Sequence, residues 1–147
     1  MAEYKDKLMS ALKAAMKNKE KERRDTIRQL QAAIKQVEID KQKDLSTDQE
    51  MDILIKEAKK RRESIEELSN AGRETADEER ELAIIESFLP EQMSEEDIRE
   101  LAEQAVAETG ATEMRDMGKV MGKLSAQTKG KADGKLVSTI VRELLTS

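Results

Sequence analysis

A single proline, Pro90, interrupts 147 residues, and four of the six glycines fall after residue 117. The stretches between these breakers are rich in Ala, Lys, Glu, Gln and Arg, which lose little side-chain freedom in a helix. No segment alternates with period two for long enough to make a strand. The sequence therefore predicts an all-α fold.

Apolar periodicity places the helices. Tyr4, Leu8, Ala11, Leu12, Ala15 and Met16 share one face, and Lys17-Asn18-Lys19 breaks the run. A second helix starts near Glu20, with Ile27, Leu30, Ile34 and Val37 at alternating steps of three and four, the seam of an antiparallel hairpin. Ser46 with Gln49, or Thr47 with Glu50, offers a capping box for a third helix that carries Met51, Leu54, Ile55, Ala58, Ile65 and Leu68. Asn70-Ala71-Gly72 is its stop signal. A fourth helix is expected over Glu74 to Phe88, with Leu82, Ile85 and Leu89 inward, until Pro90 stops it.

Pro90 is the expected boundary between a helical N-terminal domain, residues 1–90, and a small three-helix C-terminal domain, residues 91–147. In the second, Ser94 with Asp97 opens a helix bearing Ile98, Leu101, Ala105 and Val106, which Gly110 closes. Met114, Met117, Met121 and Leu124 are expected to form one packed stripe on the next helix. Leu136, Ile140, Val141, Leu144 and Leu145 line the last, with Asp133 placed to cap it.

Composition then removes whole classes of chemistry. The chain has no Cys and no His, which excludes a disulfide, a thiolate nucleophile, a Cys/His zinc site and a Ser-His-Asp triad. The acidic run around Asp77-Glu78-Glu79 has no calcium-loop spacing, and the chain around Gly130 lacks the spacer and Ser/Thr of a phosphate-binding P-loop. Neither a metal nor a cofactor is expected, and the acidic run is expected to be a solvated helix face. No segment approaches the ~18 consecutive apolar residues of a membrane span. The charged start, Met1 to Lys7, leads into no apolar signal core. A cytoplasmic protein without membrane contact is expected.

Charge is unevenly spread. Residues 1–45 hold twelve Lys/Arg against eight Asp/Glu, residues 46–110 eight against twenty, and residues 111–147 seven against four. The overall charge of −5 thus hides two basic ends around an acidic middle. Three basic groups stand out. Lys59-Lys60-Arg61-Arg62 fans around a helix and falls partly on the seam, where neighbouring Glu residues account for it by ion pairing. Lys17, Lys19, Lys21, Arg23, Arg24 and Arg28 crowd the first hairpin, diluted by Glu20, Glu22 and Asp25, and are expected to be a solvated face.

The third group is the most distinctive. Gly118 and Gly122 lie one turn apart, as do Lys119 and Lys123. A loop with Lys129, Gly130 and Lys131 then leads to Lys135 and the start of the last helix, where free N–H groups and the helix dipole favour an anion. Such an array suits a nucleic-acid phosphate backbone. Helix packing at the glycines and solubility at the lysines explain it too. Tyr4 and Phe88 are the only aromatics, so an RNA partner would be read by shape and phosphates rather than by stacked bases.

At these residues the chain resembles the stand-alone branch of the GatB/YqeY family over essentially its full length. The resemblance runs through Ala14-Ala15-Met16-Lys17-Asn18-Lys19, Arg61-Arg62-Glu63-Ser64-Ile65, Ala71-Gly72-Arg73 and Phe88-Leu89-Pro90-Glu91-Gln92. Its most specific part is Asp116 to Met121 with Lys129 to Asp133, similar to the C-terminal tail of the B subunit of the glutamine-dependent tRNA amidotransferase. That tail commonly has Asn-Pro where this chain has Asp133-Gly134.

The resemblance implies an all-α fold, contact with tRNA or another structured RNA through Lys119, Lys123, Lys129, Gly130, Lys131 and Lys135, and a link to aminoacyl-tRNA metabolism. Amide-forming chemistry in that enzyme belongs to a separate domain, so the resemblance does not imply that this chain is itself a carbon–nitrogen ligase. Two alternatives stay open: a protein-interaction adaptor, and an accessory to an amidotransferase whose activity needs a complex.

Overall fold

A computed structural model describes residues 3–146. Among these residues there is no strand, and the chain forms seven α-helices and one short 3-10 turn, in two compact units. The first unit ends at Pro90 and the second begins at Glu91.

In the first unit, α1 (Glu3–Lys17) and α2 (Lys21–Lys41) form a hairpin, and α3 (Thr47–Asn70) and α4 (Ala76–Glu86) form another. Leu8, Ile27, Leu30, Ile34, Leu54 and Ile85 meet in its core and are almost completely buried. Each such side chain contributes about 1.5–3 kcal/mol. With no buried ring except Tyr4, side-chain carboxylates do part of the joining. Lys5 pairs with Glu38 across the first hairpin at 3.0 Å, a contact that holds the lysine's pKa above its usual value.

The predicted seam survives with two changes. Met16, expected on the packed face, is 52% exposed although its neighbour Ala15 in the same last turn of α1 is buried in the core, so the packed face ends at Ala15. The fourth helix is shorter than expected: α4 starts at Ala76 and ends at Glu86, and Ser87–Leu89 turn tightly before Pro90. Of the two capping boxes, Ser46 and Gln49 make the real one. Glu50 is drawn inside instead. One of its oxygens accepts from the backbone N–H of Tyr4, an unsatisfied donor at the start of α1. The other has no hydrogen-bond partner.

The second unit packs α5 (Glu95–Thr109), α6 (Met117–Thr128) and α7 (Gly134–Thr146) around Ile98, Val120, Leu124, Val137, Ile140 and Val141. Ser94 caps α5 by accepting from Asp97 N–H at 3.1 Å. Gly110 ends α5 at φ +69°, a conformation that favours glycine. Met117 and Met121 pack against the core as expected, but Met114 does not. It lies in the 3-10 turn Met114–Asp116 ahead of α6 and is 39% exposed, so the stripe starts one turn later than its spacing suggests.

Candidate nucleic-acid interface

The C-terminal basic group is built on α6 and the loop beyond it. Val120, Leu124 and Thr128 point α6 into the core, which leaves Gly118, Lys119, Gly122, Lys123, Ser125 and Ala126 on the outside. A Cβ placed on Gly118 or Gly122 would meet nothing within 4 Å. Helix packing inside this chain therefore does not explain these glycines. What they leave is a strip of helix backbone open to a ligand, edged by two lysines one turn apart.

The lysines are not equivalent. Lys123 forms an ion pair with Glu108 of α5. Exposed pairs of this kind hold weakly, at about 0–1 kcal/mol. Among the described residues Lys119 makes no such pair, and its charge acts on Asp116 nearby. The carboxyl of Asp116 is held below the usual carboxylate range, chiefly because it accepts the Thr112 N–H at 3.0 Å, with the Glu113 N–H and the nearby Lys119 and Arg115 charges adding to the effect. Asp116 thereby fixes the turn from which α6 grows.

The loop after α6 is clamped. Lys131 and Ala132 donate backbone N–H groups to Thr128 O at 2.9 and 3.1 Å. Gly130 turns at φ +76° and is buried, while Lys129 and Lys131 on either side are exposed. Two bonds come from the segment after Pro90: Gln92 Nε2 donates to Gly130 O at 2.7 Å, and Met93 N–H donates to Lys131 O at 2.8 Å. Neither Gln92 nor Met93 is picked out by charge or periodicity. The only signal for Gln92 in the sequence is its place in the Phe88–Gln92 segment of the family resemblance.

Asp133 caps α7 as predicted, its carboxylate accepting from Lys135 N–H at 3.3 Å. That carboxylate places a negative charge at the helix terminus, so the start of α7 is not the open anion site that the loop suggests. Lys135 is exposed in the first turn of α7, and Lys119 in the first turn of α6. Neither turn carries an acidic residue, although the helix dipole favours acids there and disfavours lysine. The lysines are therefore not placed for helix stability.

The other basic groups are used differently. Arg61 reaches Glu57 at 3.3 Å, Glu81 at 3.1 Å and Gln29 at 2.6 Å, and so ties α2, α3 and α4 together. Arg62 reaches Glu86 at 3.1 Å, and Lys60 reaches Glu57 at 3.1 Å. In the acidic run Asp77 pairs with Arg80, which also reaches Glu22 at 2.9 Å. These pairs hold the guanidinium of Arg80 even more firmly in its charged form. At the first hairpin Arg24 pairs with Asp25 at 2.8 Å, and Arg23 lies 5.4 Å from the centre of the Phe88 ring. Among the described residues no cluster of acidic side chains is arranged to hold a metal ion, and no helix is long and apolar enough to cross a membrane.

The family described as Yqey-like protein matches residues 5–145. Altered inheritance of mitochondria protein 41, mitochondrial, of Pyrenophora tritici-repentis is 35% identical over 95% of this chain and 79% of its own length. A glutamyl-tRNA(Gln) amidotransferase subunit of Thermococcus gammatolerans is 43% identical over 56 residues, 38% of this chain. The matched stretch spans only 9% of that protein.

Proposed function

We propose, since this chain belongs to the Yqey-like protein family, that it is a non-catalytic helical module that binds RNA, tRNA in the first instance, through the outer face of α6 and the loop that follows. The observation that carries this reading is the bare glycine strip of α6 bordered by lysines. Gly118 and Gly122 give up helix propensity of up to about 1 kcal/mol each without serving any contact in the chain. A phosphate backbone is a ligand that needs both close approach and positive charge. Residues 91–147 contain no aromatic side chain, so contact would be made with backbone and shape. The choice of tRNA is supported by the name of the Thermococcus relative, a glutamyl-tRNA(Gln) amidotransferase component.

The test is fluorescence-anisotropy titration of labelled tRNA at several salt concentrations. The intact chain is compared with a variant in which Lys119, Lys123, Lys129 and Lys131 are all changed to Ala. Binding should weaken log-linearly with salt, and the variant should lose most of the affinity, with a salt slope lower by up to about 0.9 per phosphate contact removed. Its melting temperature should stay close to that of the parent, because exposed substitutions usually change stability by less than about 0.5 kcal/mol. Absence of binding at low salt, or binding indifferent to all four lysines, would remove this reading and favour an adaptor that contacts protein.

A further inference from the structure

The tip of the first hairpin carries cations that the ion-pair networks of its unit leave unused. Lys5, Lys60, Arg61, Arg62 and Arg80 all meet carboxylates. Among the described residues, Lys13, Lys17, Lys19, Lys21 and Arg28 meet none, and neither do Lys35, Lys41, Lys43, Lys56, Lys59 and Arg73 elsewhere in the unit. What sets the tip apart is that Lys17, Lys19, Lys21 and Arg28 gather around one turn. Met16, Lys19, Lys21 and Arg24 line a shallow hollow of about 260 Å³ together with Ala15 and Glu20. Arg28 joins them from the next turn of α2, its Nη2 lying 4.0 Å from Met16 Sδ. Lys13 and Lys17 stand one turn apart on the outer side of α1.

Lys19 adds an independent observation. It sits at φ +57°, in the left-handed region, closing α1 with its own N–H donating to Met16 O and the N–H of Glu20 donating to Ala15 O. Glycine or asparagine is the usual occupant of such a position. Asn18 is the neighbouring residue, yet the lysine holds the strained place. Gln42 takes the same conformation at the end of α2, at φ +55°, so what distinguishes Lys19 is the charge that the turn holds at the surface.

We propose that this hairpin tip is a second phosphate-backbone contact for RNA. It has the same class of ligand as the α6 face but none of its residues. A lipid surface fits less well. A helix lying on a membrane needs a free apolar face, and the apolar face of α1, with Tyr4, Leu8 and Ala15, is buried in the core of its own unit. Met16 is the one large apolar side chain exposed at the tip. Cations spread over two helix ends and a turn match a curved chain of phosphates better than the single seam that an acidic helix would present.

The experiment uses the full chain and labelled tRNA over a series of salt concentrations, with three variants: Lys17→Ala/Lys21→Ala, Lys19→Gly and the four-lysine tail variant. The double variant should weaken binding about tenfold at low salt and lower the salt slope by about two. Lys19→Gly should raise the melting temperature by a few degrees while it lowers affinity, a pairing of opposite signs that a merely structural role would not give. Tip variants that bind like the parent would overturn the proposal even if the tail variant fails to bind. Loss in the tip variants with an unaffected tail variant would support the tip and sink the tail reading. Absence of binding by the intact chain would overturn both. Binding to phosphatidylglycerol vesicles that depends on the tip lysines, with tRNA binding indifferent to them, would assign the surface to lipid and overturn the proposal.

Discussion

The densest basic run in the chain and the most dispersed one have opposite fates. Lys59-Lys60-Arg61-Arg62 is four cations in a row, yet the Arg61 side chain is only 14% exposed and contacts three helices. Lys119, Lys129 and Lys131 are separated by neutral residues, yet all three are exposed. The cause is register. Arg61 lies one turn after Glu57, opposite Glu81 and beside Gln29, so its fork of donors has three acceptors in reach. Lys119 leaves α6 on the side where Gly118 and Gly122 present no side chain. A cation's availability is decided by the carboxylates that the fold brings near it, and the number of cations in a row says little about that.

The sharpest way to break this contrast is to remove Arg61. Arg61→Met keeps the apolar stem but leaves Glu81 without its cation and Glu57, which is 9% exposed, with only the more exposed Lys60. Stripping one partner from a largely buried charge network costs about 3 kcal/mol. Urea unfolding should show a loss of that order, with tRNA binding unchanged below the transition. Replacing Glu57 and Glu81 as well by apolar residues of similar volume should recover most of the loss. A stable Arg61→Met protein that binds tRNA poorly would reverse the comparison and make the arginine the ligand.

That register is legible in the sequence only in part. The all-α class and the inner faces of α2 and α7 follow from period and breakers alone, since Ile27, Leu30 and Ile34 or Ile140, Val141 and Leu145 leave little choice of face. Met114 departs from its expected burial because a 3-10 turn delays its helix, and Met16 because the packed face of α1 ends at Ala15 beside it; methionine tolerates exposure at both places. Lys119, Lys129, Lys131 and Lys135 can be found as exposed lysines from their sequence. The pairing of Lys123 with Glu108 cannot, because it depends on where α5 lies. Nor can the bonds from Gln92 and Met93 to the loop, which join residues 38 apart without any charge or periodic pattern.

A smaller effect, of opposite sign in stability and binding, separates the two regions from another direction. Gly122 is inside α6 with open space where its Cβ would be. Gly122→Ala should stabilise the protein by about 0.5–1 kcal/mol, since alanine is the better helix former and nothing is displaced. If α6 carries RNA, the same change should also weaken tRNA binding, by placing a methyl group where the backbone of the ligand comes close. A thermal melt and a titration on the same preparation measure both. A stabilised variant that binds tRNA as tightly as the parent would show that the strip is not a contact surface, and would leave the two glycines without a function.

The smallest effect is expected from Asp116, and it depends on pH. Its folded pKa lies below the unfolded value because the N–H groups of Thr112 and Glu113 stabilise the charged carboxylate. A group depressed in this way adds stability that is fully present above the unfolded carboxylate range and is lost as the pH falls through the folded value. Asp116→Asn keeps the shape but not the charge, so it should be less stable than the parent at neutral pH, and the two stability curves should converge on acidification below about pH 4. The carboxyl is solvent-exposed, so the gap should be well below that produced by Arg61→Met. The same variant removes the negative charge near Lys119, so its tRNA affinity at neutral pH should hold or rise while stability falls. Parallel melting curves from pH 7 to pH 3 would show that the turn before α6 is held by backbone bonds alone. A fall in affinity together with stability would show that the lysine face needs the turn to be rigid, and that its cations are not interchangeable with free charge.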